Sequence, residues 1–132
     1  MPEDLRIVAS RERPLFSVEL RSDGILVYRP VPGLVLTYAT ALEVYGTGLE
    51  IVDGPKPTMV LMPEMARVER EARAFFASDE YMRVCSQTAL VVGSPVSRVI
   101  ASFFVGLNRP KYPHKIFDDS ELALGWLRGF LP

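Results

Sequence analysis

A chain of 132 residues, 48% of them hydrophobic, is long enough for one buried core and too short for two ordinary domains. A formal net charge of -1 provides no overall field for nucleic acid or an anionic membrane, so no nucleic-acid partner is expected. The lone cysteine, Cys85, rules out an internal disulfide, the opening MPEDLRIVASRERP lacks the apolar run of a signal peptide, and no apolar stretch reaches the roughly 18 to 20 residues of a membrane span, so the expected setting is the cytoplasm.

One domain over 1–132 is expected, with residues 1–13 either loosely ordered or an extra strand. Phe16, Val18 and Leu20 alternate with Ser17, Glu19 and Arg21, the period-two pattern of a strand with one buried face. Ser22-Asp23-Gly24 turns the chain into a second strand, Ile25 to Arg29, which the prolines of Pro30-Val31-Pro32-Gly33 end. Thr37 caps a helix running to Glu50, with Tyr38, Ala41, Leu42, Tyr45 and Leu49 at helical spacing. Gly46 and Gly48 each cost about 1 kcal/mol relative to alanine, which predicts fraying or a kink in its second half.

Beyond the turn at Asp53-Gly54-Pro55-Lys56-Pro57, Thr58 to Met62 is a short apolar run with no polar alternation, as expected of a central strand covered on both faces. Arg67 to Ala77 reads as a helix, Asp79 to Val84 as a short one with Cys85 on its core side, and Thr88 to Val92 as another covered strand. Ser94 at the N-cap and Pro95 at the first helical position then fix the start of a strongly amphipathic helix. Val96, Val99, Ile100, Phe103, Phe104 and Leu107 form its apolar face, which is expected to be buried. Lys115 to Phe117 adds an edge strand, Asp118 and Glu121 have capping-box spacing, and Leu122, Trp126 and Phe130 give the last helix its stripe. An opening hairpin followed by alternating helices and strands predicts an α/β domain with a mixed sheet and parallel crossovers.

Three stretches carry a family resemblance: REARAFFAS at Arg70 to Ser78, ALVVGSPVSRVIASFF at Ala89 to Phe104, and LNRPKYPHKIFDDSELALGWL at Leu107 to Leu127. They resemble small bacterial domains of the STAS/SEC14-like group, the relatives of the SpoIIAA anti-sigma-factor antagonist. The resemblance implies a SpoIIAA-like fold and a non-catalytic module that binds a partner protein or, in the SEC14-like branch, an apolar ligand. Anti-sigma antagonists carry a phosphorylatable hydroxyl in the loop after a central strand. The matching stretch here, Met62 to Glu71, has none, so kinase switching at that loop lacks its acceptor.

Few residues offer chemistry. Gly93, Ser94, Ser97 and Arg98 bring amides, hydroxyls and a cation to a helix N-terminus and form a candidate anion site, although capping alone accounts for Ser94-Pro95. His114, the only histidine, lies among cations and makes a poor metal ligand, and no G-x-S-x-G elbow supports a hydrolase triad. Arg109, Lys111, Tyr112 and His114 form a stiff, positive, proline-bracketed candidate docking loop. Tyr38, Leu42 and Tyr45 are candidates for a lid over an apolar-ligand cavity. The reading is a cytosolic regulatory module that binds another protein, with a carrier or sensor of a small apolar, lipid-like ligand as the alternative and an enzyme of unrecognised type third. No cofactor and no metal are expected, and a homodimer is left open.

Overall fold

The structure, a computed structural model, describes residues 5–130. Its main sheet has six strands in the order β1-β2-β3-β5-β7-β8. Strands β1 (Ile7–Glu12), β2 (Phe16–Arg21) and β3 (Leu26–Pro30) form an antiparallel meander. Strands β5 (Lys56–Met62), β7 (Cys85–Val92) and β8 (His114–Phe117) continue it in parallel. Within the 1–13 segment, β1 is therefore a strand on the sheet edge, while residues 1–4 lie outside the described residues. A separate two-stranded parallel pair, β4 (Val35–Leu36) with β6 (Arg67–Val68), sits where the Pro30-Val31-Pro32-Gly33 break had removed ladder donors.

Register aligns rows of side chains across the sheet. Tyr28, Val60, Leu90 and Ile116 are successive partners along one row, and Val27, Met59, Ala89 and Lys115 along the next. Because side chains alternate along a strand, the two rows point to opposite faces. Val27, Met59 and Ala89 pack under helix α4 (Ser120–Arg128), whose Ala123, Leu124 and Leu127 are buried. Tyr28, Val60 and Leu90 face helices α1 (Tyr38–Ile51) and α3 (Pro95–Phe103), with the short α2 (Arg70–Phe76) beside them.

Several expectations are corrected. The first helix neither frays nor kinks: it runs unbroken to Ile51, and the Val52 N–H closes on the Gly48 carbonyl at 3.1 Å. Tertiary contact outweighs the propensity cost there. The 67–77 segment opens as β6 before α2 begins at Arg70, because residues 66, 67 and 69 donate backbone bonds to Leu34 and Leu36. Residues Tyr81–Arg83 form a single 3-10 turn, and Cys85 is the first residue of β7, not a helix position. The last helix is capped by Asp119, whose Oδ1 accepts from the amides of Glu121 and Leu122 at 2.7 and 3.3 Å, and not by Asp118. Leu122 is exposed, and Phe130 lies beyond the end of the helix and is exposed too.

The largest correction concerns α3. Val96, Val99 and Phe103 are 46%, 53% and 52% exposed, while Ser97 and Ala101 are the buried positions. Ile100 and Phe104 flank them, half-buried. The helix is turned about a quarter turn from where its apolar stripe would put it. A π-helical turn, Phe104–Asn108, extends it and ends at Arg109, whose φ of 47° is the described chain's one left-handed non-glycine residue. Pro110 follows, as is common after such a stop.

Candidate functional site

Between the sheet and α1, α2 and α3 lies a hollow of about 110 Å³. Tyr28, Val60 and Leu90, from one row of the sheet, form its floor together with Phe16, Met62 and Thr88. Thr40 and Val44 of α1, Arg73 and Phe76 of α2, Ile100 and Ala101 of α3, and Phe104 of the π turn form the roof and walls. The hollow exists because of side-chain size. Where α3 meets the sheet it presents Ser97 and Ala101, while its larger valines and phenylalanine face out. Close packing would otherwise fill such a space, since protein interiors hold few voids larger than a water molecule.

The hydroxyls around this space are mostly engaged. The Tyr28 hydroxyl donates to the Val44 carbonyl at 3.3 Å and the Tyr112 hydroxyl to the Phe76 carbonyl at 2.8 Å. Burial, with a smaller contribution from the neighbouring Cys85 thiol, raises the Tyr28, Tyr81 and Tyr112 phenols above their ordinary range, so all three stay neutral. Burial also pushes the Cys85 thiol up to about 11, against a hydrogen-bonding contact of 2.9 Å with Thr88 Oγ1. A protonated, buried thiol is a poor nucleophile.

A guanidinium interrupts the apolar wall. Arg73 Nε is buried without a hydrogen-bond partner, and so is Asn108 Oδ1 at the end of the π turn. Arg73, Val68 and Ile100 line both the hollow and an outer groove, so they form the partition between the two. That groove runs along α3 beside Ala66, Arg67 and Val68, and Val96, Val99 and Phe103 form its other wall.

The sequence-derived candidates separate into different roles. Ser94 and Ser97 cap α3: each backbone amide lies 3.1 Å from the other residue's hydroxyl, and Ser97 Oγ also donates to the Ser94 carbonyl at 3.1 Å. Ser97 is fully buried, Gly93 precedes the cap, and the exposed Arg98 pairs with Asp118 at 3.8 Å. The hydroxyls of the candidate anion site are thus engaged by the helix start. Tyr112 cannot anchor a docking partner, being 2% exposed and part of the cavity wall. Arg109 and Lys111 are exposed, Lys111 beside Asp79 at 3.0 Å, while His114 belongs to β8 with its Nδ1 2.8 Å from the Tyr112 carbonyl. The loop is not one patch.

The lid residues are corrected too. Tyr38 and Leu42 face outward, and Tyr45 is buried against Phe75, its hydroxyl accepting from Arg83 at 3.2 Å. Helix α1 does cover the hollow, but through Thr40 and Val44. Sequence reading missed Arg73 because a cation on a short helix looks like a solvated one. Among the described residues, no three His, Cys, Asp or Glu side chains are grouped as metal ligands would be, and no helix is long and apolar enough to cross a membrane.

Residues 18–131 match the profile of a domain of unknown function, DUF7793, and the chain belongs to that family. No curated protein matches its sequence. Among solved structures it is similar to an uncharacterised protein of the DUF3478 family with a SpoIIAA-like fold from Shewanella loihica PV-4, at 15% identity over 93% of each chain and a TM-score of 0.51. It is also similar to a protein with unknown function from Arthrobacter sp. FB24, at 34% identity over 83% of this chain and 96% of that one, with a TM-score of 0.31. The Shewanella likeness extends to the fold: this chain has a SpoIIAA-like mixed sheet with packed helices.

Proposed function

We propose that this DUF7793 domain is a non-catalytic binding module that takes up a small apolar, lipid-like molecule between its sheet and helices α1 and α3. The hollow of about 110 Å³ carries this reading. Keeping that volume clear of side chains forgoes about 2 to 3 kcal/mol of packing. An engineered apolar cavity of about 150 Å³ takes up benzene, which sets the scale: one ring or a short alkyl chain. Resonances of Leu90, Ile100 and Ala101 in a labelled sample titrated with 1-hexanol should shift saturably, and Ala101→Phe, which fills the space, should abolish the shifts. Ala101→Leu serves if the larger ring prevents folding. Absence of saturable shifts in the parent protein ends the proposal.

A second reading, protein docking, is favoured by the exposed stripe of Val96, Val99, Phe103 and Leu107 on the other side of the same helix. Apolar side chains clustered on a surface mark interaction sites more often than single ones do. Its simplest occupant is a second copy of the chain, meeting the same face about a two-fold axis. Sedimentation should then show a dimer for the parent and a monomer for Phe103→Glu, and a parent that stays monomeric at high concentration removes self-association.

A further inference from the structure

Arg21 is buried and has a carboxylate; Arg73 is half-buried, and its Nε, which is fully buried, has none. Arg21, 9% exposed, is held by Asp23 in a fork: Nε to Oδ1 at 3.2 Å and Nη2 to Oδ2 at 2.8 Å. Asp23 Oδ1 also accepts the Ile25 amide at 3.2 Å, so the pair is anchored to the backbone. Arg73 has a buried Nε and no hydrogen-bond partner for it. Its side chain takes part in no ion pair among the described residues. Guanidinium keeps its charge and its donors, and an N–H buried without an acceptor costs free energy. The neighbours lining the partition with it, Val68 and Ile100, offer no acceptor side chain.

We infer that the molecule taken up by this hollow is a monocarboxylic acid with a short alkyl or single-ring tail, its carboxylate seated on Arg73 at the partition and its tail lying over Leu90 beneath Ala101 and Phe104. This rests on the hollow being a ligand site, and adds what the ligand must carry. A carboxylate supplies Arg73 with the two parallel acceptors that Asp23 supplies to Arg21, the geometry guanidinium matches best. The apolar hollow takes the tail, and the groove along α3, which shares Arg73 with the hollow, is the side from which the head group enters.

Calorimetric or NMR titration of the intact chain with two probes of equal tail length, hexanoate and 1-hexanol, tests this. The parent should bind hexanoate at least tenfold more tightly than 1-hexanol. Arg73→Met, which keeps an unbranched apolar stem, should lose that tenfold preference, so that hexanoate and 1-hexanol bind the variant about equally. Arg73→Gln, neutral but polar, provides the same comparison if the methionine variant does not fold. Hexanoate bound no better than 1-hexanol by the parent, or equally well by parent and Arg73 variants, overturns the carboxylate assignment and leaves the apolar site standing. A parent that binds neither probe overturns both.

Discussion

Helices α3 and α4 are each nine residues long and each starts on a side-chain cap, yet they meet the sheet in opposite ways. Helix α4 turns Ala123, Leu124 and Leu127 onto Val27, Met59 and Ala89 and makes a filled layer. Helix α3 turns Ser97 and Ala101 inward, keeps its bulk outside, and leaves a hollow beneath. An apolar stripe therefore establishes that a segment is helical without establishing which way the stripe faces. Beneath α4 the sheet presents Val27, Met59 and Ala89, and on the side of α3 it presents the row of Tyr28, Val60 and Leu90.

The sharpest way to break this contrast is to truncate each helix. Leu127→Ala, at a fully buried position, should cost about 3 to 5 kcal/mol in urea melts. A loss under about 1 kcal/mol would show that the α4 layer is no better packed than the α3 side.

Alkaline pH addresses the α3 side through its buried acids. Cys85 has its thiol pushed up to about 11, and Tyr28, Tyr81 and Tyr112 are raised in the same direction. Each is neutral when protonated, so a folded pKa above the unfolded one gives stability that is whole below the unfolded value, about 8.5 for cysteine, and lost as pH rises through the folded value. Stability should thus fall between about pH 9 and 11, by on the order of 3 kcal/mol for the thiol alone. Cys85→Ser should remove the first part of that decline, and a flat profile to pH 11 would mean that water reaches these groups.

The smallest expected effect is the most discriminating. Phe103→Ala should change stability by no more than about 0.5 kcal/mol, as at other surface positions, because the ring is 52% exposed. A cost of several kcal/mol would put Phe103 inside and close the groove that it borders.

Much of the fold was legible in the sequence because local chemistry wrote it there. Phe16 to Arg21 alternates as a strand must, Thr58 to Met62 is apolar on both faces because helices cover both, and Ser94-Pro95 fixes the start of α3 within one residue. The site was less legible. Tyr112, placed in a charged, proline-rich loop, reads as an exposed anchor until β8 and α2 close over it and Phe76 offers its carbonyl. Tyr38, Leu42 and Tyr45 share a spacing with the residues that do face the hollow, Thr40 and Val44, and only the docking angle of α1 tells the two sets apart. Arg73 carries no signature, since its unpartnered Nε depends on which side chains are missing around it.

Gly48, which by propensity weakens α1, has a consequence for the hollow. A Cβ at that position would stand 2.7 Å from the Tyr28 hydroxyl, so the bare backbone there is what lets the phenol lie across the helix and reach the Val44 carbonyl. Any side chain added at Gly48 must push that ring away, and the ring is part of the floor. The volume of the hollow is thus set in part from the far side of its wall: Gly48→Ala should change its size through Tyr28 alone, with no new side chain entering it.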